Sequence, residues 1–431
     1  MSENIFDILT CVISAYINIK HWKLLTSSFA NVIYLLFLIL YVFPLFVDCL
    51  YEIPPYSNHY DEGFGASSLD EKTRVIYDIF ILYAQFLILR KIKQKKNVEI
   101  SESVNVSFPN WMLYIGMIIP TLITIGVLQT PYMLYFFQWR ELDLIEIPKF
   151  YWYVETFSYI SITCCALLLC SRGYKVPTRI LATVFMFMTI CEQGKRAALF
   201  FALIAISLVL YYNYIQKSKT KTNGLSLFFV ISFVLVVAQG MLSFTFQVQQ
   251  ERGYSEEVSN MVEMTRVDFL RDDRVRYSIY DELYNNGSIL DYKGQSFVAE
   301  FCNAFPLMYV LGRYDVAQYK YQNMLSCSLV GDNPHNSDKQ HMTPSIIGEL
   351  VSNIGVFLGL LLSPFIIIWF IDKSRKYPYP LNAFIILCFT LLNLFSLTYI
   401  ILFFEFTYVY ILIYNKRLKN KKYENINLEL S

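Results

Sequence analysis

The chain of 431 residues is 55% hydrophobic and 17% aromatic, and only 16% of its residues are charged, with a formal net charge of +1. Soluble domains carry roughly 25% charged residues, so this composition excludes an ordinary soluble protein and favours one embedded in a lipid bilayer. The basic residues form short clusters between apolar runs, which gives no continuous basic surface for nucleic acid.

The first apolar stretch, Ile5 to Ile19, contains Asp7 and Asn18, and no basic region precedes it. These features do not match a cleavable signal peptide. We expect a helix that lies at the membrane interface and does not cross the bilayer.

Apolar runs long enough to cross roughly 30 Å of hydrocarbon recur after this stretch. They predict an all-α, polytopic membrane protein with about ten transmembrane helices. The predicted spans are residues 29–50, 73–90, 110–129, 150–171, 177–191, 197–215, 224–246, 345–371, 380–397 and 399–414, of which the fifth and the last two are short.

Basic residues near the ends of the spans indicate their orientation, because Lys and Arg are retained on the cytoplasmic side during insertion. The basic clusters that fall on one side are Lys20 with Lys23, 90–96, Arg172 with Lys175, 217–221, 373–376 and 416–422. The connections on the other side are acidic or nearly neutral. This alternation predicts a multi-pass inner-membrane protein with both termini in the cytoplasm.

The orientation divides the chain into three segments. Residues 1–246 hold transmembrane helices 1–7, residues 247–342 form one large extracytoplasmic (periplasmic) loop, and residues 343–431 hold helices 8–10 and a cytoplasmic tail. The loop, about 95 residues long and rich in Arg, Asp and Tyr, is too long for a mere connector. Its two cysteines, Cys302 and Cys327, can pair only in an oxidising compartment, and the sequence leaves that open.

The charged turn Glu192 to Arg196 separates two short spans on the outer side. Its basic pair, Lys195 and Arg196, breaks the preference for basic residues in the cytoplasm. An arginine can give a diphosphate two parallel charge-assisted hydrogen bonds, and the N-terminus of the next helix adds its dipole. The turn is a candidate contact for a lipid diphosphate, and a hairpin whose cations reach ordinary lipid headgroups is the alternative.

A second candidate is the arginine-rich stretch from Arg266 to Arg276, which also contains Asp268, Asp272 and Asp273. The carboxylates are spaced to neutralise the arginines, so a solvated helix with internal salt bridges is the default prediction. No flanking ligand set accompanies the Asp272-Asp273 pair, which argues against a metal site there.

A third candidate combines His335 and His341 with Glu349, which falls inside the predicted span 345–371. Histidine readily moves a proton near neutral pH, and the spacing of these two does not suit a metal pair on a helix. Surface histidines in a loop are the alternative. A carboxylate inside a span costs several kcal/mol unless it faces water or a partner, so we expect Glu349 to line an exposed cavity.

These segments together resemble the bacterial O-antigen polymerase family, the Wzy-type polymerases of oligosaccharide repeat units. The resemblance is carried by Pro334-His335-Asn336-Ser337, by His341 with Glu349 in the next helix, by Asn353-Ile354-Gly355, by Gly194 to Leu199, and by Arg276 followed by Gly287 and by Gly294 to Phe297. O-antigen ligases are similar in the same region, but Leu350 follows Glu349 where the ligase pattern often has glycine.

The resemblance implies a glycosyltransferase with the membrane fold called GT-C that uses neither a metal nor another cofactor. Its donor and acceptor would both be polyprenyl-diphosphate-linked oligosaccharides, joined into O-antigen, capsule or exopolysaccharide at the outer face of the inner membrane. The absence of a phosphate-binding glycine loop in the sequence is compatible with such a donor. Membrane lipid, a flippase and a chain-length regulator are the other implied partners.

The implied site has a donor side and an acceptor side. The residues assigned to the donor diphosphate are Lys195, Arg196, Arg266 and Arg276, with Arg276 also catalytic, and the unranked candidates for the catalytic base are Glu349, His335 and His341. A ligase that uses the same lipid donor and a flippase for that lipid remain the alternative functions.

Overall fold

The computed structural model describes residues 5–50, 61–94, 110–127, 151–171, 173–193, 196–218, 271–304, 317–331, 344–395 and 397–430. Within these ranges the regular structure is helical and includes no strand, so the predicted all-α class is confirmed for this part of the chain. The predicted span 224–246 lies outside the described residues.

The helices follow the apolar runs closely. They are α1 (Ile5–Leu25), α2 (Val32–Phe37), α3 (Phe43–Leu50), α4 (Asp61–Leu69), α5 (Glu71–Gln94), α6 (Asn110–Val127), α7 (Tyr151–Cys170), α8 (Val176–Gln193), α9 (Arg196–Ser218), α10 (Asp272–Tyr284), α11 (Gln295–Ala304), α12 (Tyr321–Val330), α13 (Ile346–Ile354), α14 (Val356–Lys376), α15 (Leu381–Leu394) and α16 (Leu397–Leu430).

The chain forms two compact units. Unit 1 comprises Met1–Asn97, Leu242–Arg375 and Phe389–Ile400, and unit 2 comprises Val98–Met241, Lys376–Cys388 and Ile401–Ser431. Unit 1 therefore combines the first helices with the described helices of the predicted outer loop. The division into 1–246, 247–342 and 343–431 concerns membrane topology and stays a prediction.

Two helical segments, Phe29–Leu50 and Val356–Lys376, are long and apolar enough to cross a membrane. The shorter apolar helical stretches are Asn110–Ile123, Phe157–Cys170, Val176–Ile190, Phe201–Ile215 and Leu381–Leu394. The count of about ten spans remains a prediction.

The predicted span 345–371 is two helices rather than one. Helix α13 ends at Ile354, and Gly355 follows with φ of +87°, a backbone conformation that favours glycine. Helix α14 then begins at Val356, and a Cβ on Gly359 would lie 2.7 Å from backbone atoms of Val351. The two glycines thus allow the chain to turn sharply and pack α14 closely against α13.

Helix α1 packs along α5, and its predicted position at the membrane interface stays a prediction. Asp7 forms a buried ion pair with Arg74 near the start of α5. The hydroxyl of Ser14 donates to Gln85 at 3.0 Å and the amide of Asn18 donates to the same oxygen at 2.9 Å. The polar residues that look like interruptions of an apolar run are therefore the ones that hold α1 to its neighbour.

Large apolar side chains are exposed in stripes along several helices. Helix α1 buries its polar face and exposes Phe6, Leu9, Val12, Tyr16, Ile19 and Trp22; α8 exposes Val176, Ile180, Val184 and Phe187; α14 exposes Leu358, Leu361, Leu362, Phe365 and Trp369. The spacing of three or four residues places each set on one helix face. Soluble monomers rarely expose apolar faces of this extent.

A π-helical segment, Leu38–Val42, lies between α2 and α3. Wider helical turns leave backbone carbonyls available to other donors. Here the carbonyl of Leu40 accepts from the backbone N–H of Arg271 at 3.1 Å, and that of Tyr41 accepts from the hydroxyl of Tyr77 at 2.7 Å. This irregular segment therefore fixes the start of α10 and part of α5.

Candidate functional site

Helix α10 is the most polar buried element of unit 1. Its first five residues, from Asp272 to Arg276, are all buried, as is Arg271 directly before them. The prediction of a solvated helix for this stretch is wrong in the described part, because α4, α5 and α13 pack around α10 and exclude water. The carboxylates do neutralise the arginines as expected, but they do so in the interior.

Arg276 is enclosed by two carboxylates and an aromatic ring. Its guanidinium lies 3.3 Å from Asp48 and 3.5 Å from Asp272, and it stacks over the ring of Tyr77 with 5.0 Å to the centroid. The side chain is only 1% exposed. For Arg276 to hold a diphosphate, the donor would have to displace Asp48 and Asp272 from the guanidinium.

Two other arginines of this stretch, Arg271 and Arg274, are described, and both anchor α10 to its surroundings. The guanidinium of Arg271 donates to the carbonyl of Asn393 at 3.1 Å. That of Arg274 lies 3.8 Å from Asp273 and over the ring of Phe64, with 5.4 Å to the centroid. These contacts fix the position of α10, and we do not assign Arg271 or Arg274 to a ligand.

Glu349 lies on the short helix α13, outside the apolar segment Val356–Lys376. Helix α13 is capped by the hydroxyl of Ser345, which accepts from the N–H of Gly348 at 3.4 Å. The expectation that Glu349 lines an exposed cavity is wrong, because the residue is 2% exposed and enclosed by the helices of the predicted loop.

The carboxyl of Glu349 takes part in a short hydrogen-bond chain. The hydroxyl of Ser296 on α11 donates to it at 2.8 Å, and the amide of Asn353 donates to that hydroxyl at 2.7 Å. Burial raises the pKa of Glu349 to about 8, the nearby carboxyl of Glu300 raises it too, and the Ser296 hydrogen bond lowers it. The interior around Glu349 therefore favours its protonated form.

Helices α10 and α13 meet at Gly348. A Cβ at this position would lie 2.6 Å from the hydroxyl of Tyr321 and 2.9 Å from the carbonyl of Arg274. The Tyr321 hydroxyl also lies 2.6 Å from the hydroxyl of Ser278 on α10. The close approach permitted by Gly348 thus brings the helix that carries Arg276 against the one that carries Glu349.

Only two of the residues predicted for the site have described side chains, Arg276 and Glu349. Lys195, Arg266, His335 and His341 lie outside the described residues, and Arg196 begins α9 without a described side chain. Within the described ranges no group of three or more His, Cys, Asp or Glu side chains is arranged to hold a metal ion. Cys302 and Cys327 are both free thiols.

Sequence reasoning missed the acidic partners that lie outside the predicted loop. Asp48 pairs with Arg276, and Asp7 and Asp78 are buried together near the amino-terminal ends of α1 and α5. Each of these carboxylates lies in or beside an apolar run, where a charge is costly without a partner. A carboxylate inside an apolar run could therefore have been used to predict that these residues have buried partners.

Comparison of the chain with known protein families, with curated proteins and with solved structures finds no match.

Proposed function

We propose that the chain is a multi-pass membrane glycosyltransferase that polymerises polyprenyl-diphosphate-linked oligosaccharide units at the outer face of the bacterial inner membrane. The observation that carries the proposal is Glu349, a buried carboxyl that accepts a hydrogen bond from Ser296, on a helix packed against the charged helix α10. The resemblance of residues 190–371 to O-antigen polymerases supplies the reaction class.

The exposed apolar stripes support the membrane part of the proposal. Helix α1 buries Asp7, Thr10 and Ser14 and turns its large apolar side chains outward, which suits a helix surrounded by lipid. With 21 residues and a rise of about 1.5 Å per residue, α1 is long enough to cross the hydrocarbon core. The proposal therefore includes α1 among the spans.

The contacts of α1 also refine the proposed topology. Asp7 pairs with Arg74, while His21, near the other end of α1, lies close enough to the basic Lys93 of α5 to interact with it. Helices α1 and α5 thus run in the same direction, and the Ile5 end of α1 lies with Arg74 on the outer side. This replaces the earlier expectation of a cytoplasmic amino-terminal end, and thiol labelling of a cysteine placed at Ser2 in intact cells tests it.

The proposed chemistry is a displacement at the anomeric carbon of the donor sugar. A hydroxyl of the acceptor forms the new C–O bond and passes its proton to Glu349, which requires the helices that enclose this carboxyl to separate and admit the acceptor. His335 and His341 are the alternative bases. The bond to the diphosphate breaks, and the diphosphate leaves with the electron pair. Cations held in place around it stabilise the charge that develops, an effect worth several kcal/mol.

The donor side of the proposal rests on Arg196, Lys195 and Arg266, which the sequence places near the outer side. Arg276 joins them only if the donor displaces its two carboxylate partners. In the arrangement observed, Arg276 of α10 pairs with Asp48 of α3 and with Asp272 of α10, and so holds the two helices together.

Polymer length in cells tests the proposal. Cells that depend on Glu349→Gln or Arg196→Ala should display only single repeat units, at normal protein levels, on a polysaccharide gel. Glu405→Gln and Arg179→Ala are matched controls, since both side chains are exposed on other helices, and they should leave the full ladder. A full ladder from Glu349→Gln and Arg196→Ala cells would refute the proposal.

A ligase that uses the same lipid donor is separated by its acceptor. Purified protein given only lipid-linked repeat units should make a ladder if it is a polymerase. A product that forms only when a lipid A core is added would identify a ligase instead.

A transporter is the second candidate, and one observation favours it. Asp7, Arg74 and Asp78 are buried between α1 and α5, as charged groups along a transport pathway would be. Cells without the protein should accumulate single repeat units outside the membrane if it is a polymerase. Accumulation on the cytoplasmic side would favour the transporter.

A further inference from the structure

Two cysteines from different helices lie in contact in unit 1. Cys11 of α1 and Cys49 of α3 have 3.6 Å between their sulfur atoms, although they are 38 positions apart in the sequence. Both are free thiols; Cys11 is 6% exposed and Cys49 is partly buried. In the described ranges, no third His, Cys, Asp or Glu joins them in an arrangement that could hold a metal ion.

A helical hairpin brings these thiols together. The side-chain amide of Asn31, just before α2, donates to the carbonyl of Leu24 at 2.9 Å, so the segment from α2 to α3 runs back along α1. Cys11 lies four residues after Asp7, on the buried face of α1. The 3.6 Å between the sulfurs exceeds the length of a disulfide bond by about 1.5 Å, which rotation of both side chains and a small shift of the helices can close.

We propose that Cys11 and Cys49 are a site of reversible disulfide formation that joins α1 to α3. The co-reactant is a disulfide oxidant, which works by thiol exchange. The more exposed thiol, Cys49, loses its proton and attacks one sulfur of the oxidant, whose other sulfur leaves with the electron pair and takes up a proton. Cys11 then loses its proton and attacks the sulfur of Cys49, which releases the rest of the oxidant as a second thiol. Two protein thiols are oxidised, and one disulfide is reduced to two thiols.

Each of the two cysteines lies near a carboxylate that is paired with an arginine. The two ion pairs are Asp7 with Arg74 on α5 and Asp48 with Arg276 on α10. A carboxylate whose charge is neutralised opposes the formation of a thiolate less than a free one does. The disulfide would also connect the two helices that carry these carboxylates, so the oxidised protein should be the more stable form.

Oxidation inside cells rests on the topology of the proposed function, whereas the contact between the thiols does not. In that topology the Ile5 end of α1 lies on the outer side of the membrane. Disulfides form and persist in extracytoplasmic compartments and are rare in the cytosol. The pair should therefore be oxidised in cells.

Peptide mapping of the full chain in lipid bilayers, after treatment with oxidised glutathione, tests the site. Trypsin cleaves after Lys and Arg, which places Cys11 on the peptide 1–20 and Cys49 on the peptide 24–72, each without another cysteine. The two peptides should be recovered as one species whose mass is their sum less two hydrogens. Reduction should separate them.

Cys11→Ser and Cys49→Ser should each abolish the linked species. Cys388→Ser is the control and should retain it, because Cys388 is buried on another helix beside Thr407. The oxidised wild type should melt about 5 °C above the reduced protein, and Cys11→Ser should show no such difference. Absence of the linked peptides from oxidised wild type, or their presence in either serine variant, would overturn the proposal.

The same mapping after alkylation of thiols in intact cells separates this site from the proposed function. Linked peptides from cells would support both the site and the outer location of the Ile5 end of α1. Peptides that link in the purified protein but not in cells would retain the site and contradict the proposed topology. Unlinked peptides in both, from protein that makes polymer, would reject the site and leave the polymerase standing.

Discussion

The two units of the molecule bury different kinds of polar group. In the described part of unit 2, the buried polar side chains are hydroxyls, such as Thr121, Ser161 and Thr189, which lie within 3.3 Å of one another. Unit 1 instead buries carboxylates and guanidinium groups on α1, α5, α10, α11 and α13. In the described part of unit 2, helices therefore pack together without burying charged side chains.

The charges of unit 1 therefore need a reason other than assembly. Burying an ion pair costs several kcal/mol of desolvation per ion, and its attraction often does no more than offset that cost. Hydroxyls that bond to their own helix backbone, as Thr121 does with Met117, carry no such penalty. Among the described residues, the buried charged side chains are therefore concentrated in unit 1.

The largest expected effect comes from removing the charge at the centre of unit 1. Arg276→Met should lower the free energy of unfolding by about 3–5 kcal/mol, because Asp48 and Asp272 would be left buried without their cation. Thermal unfolding in detergent measures it. Arg276→Met with Asp48→Asn should recover part of the loss, and a single variant as stable as the wild type would contradict the pairing.

Glu349 should make the stability depend on pH. Its folded pKa of about 8 lies above the unfolded value near 4.5, so its contribution is fully present below pH 4.5 and is lost as pH rises through 8. The loss is about 1.4 kcal/mol per pH unit within that window. In Glu349→Gln the free energy of unfolding should fall less steeply with pH than in the wild type. Parallel curves for the two proteins between pH 5 and pH 8 would rule out this contribution of Glu349.

The contact between α10 and α13 should tolerate no added methyl group. Gly348→Ala should destabilise the protein by about 1–3 kcal/mol, since the new Cβ would meet the carbonyl of Arg274. Gly65→Ala is the matched control, because a Cβ there meets no atom within 4 Å and helix propensity favours Ala. Equal melting temperatures for the two variants would contradict the close approach.

Unit 2 should show the smallest effect. Thr121→Val keeps the side-chain shape and removes a hydroxyl that contacts Ser161 and Thr189 at 2.9 Å each. The cost should be about 1 kcal/mol, with polymer length unchanged. Loss of polymer at normal protein levels would show that these hydroxyls matter to the reaction and not only to packing.

The apolar runs were enough to predict most helices, including α8, which ends at Gln193, and α9, which begins at Arg196. They did not predict how α1 packs, because its polar residues bond to residues of α5. The partner of Asp7, Arg74, lies 67 residues away in the sequence. The break at Gly355 depends on one positive φ within the predicted span 345–371, and hydropathy gives no sign of it.

The candidate site was predicted in part. Charge and resemblance identified Arg276 and Glu349 as site residues, but did not predict that they are buried. Arg276 can be buried because Asp48, in another segment, neutralises it. Glu300 gave no signal, since an isolated glutamate in a polar loop has many ordinary explanations. The burial of these residues is set by contacts between distant segments, which local sequence patterns do not show.

The most direct test of the account is polymerisation by the purified protein in a bilayer supplied only with lipid-linked repeat units. The wild type and Thr121→Val should both make a ladder, and Glu349→Gln should make none at equal protein amount and equal folding. A wild-type ladder from Glu349→Gln would contradict the claim that the buried carboxyl of unit 1 carries the reaction.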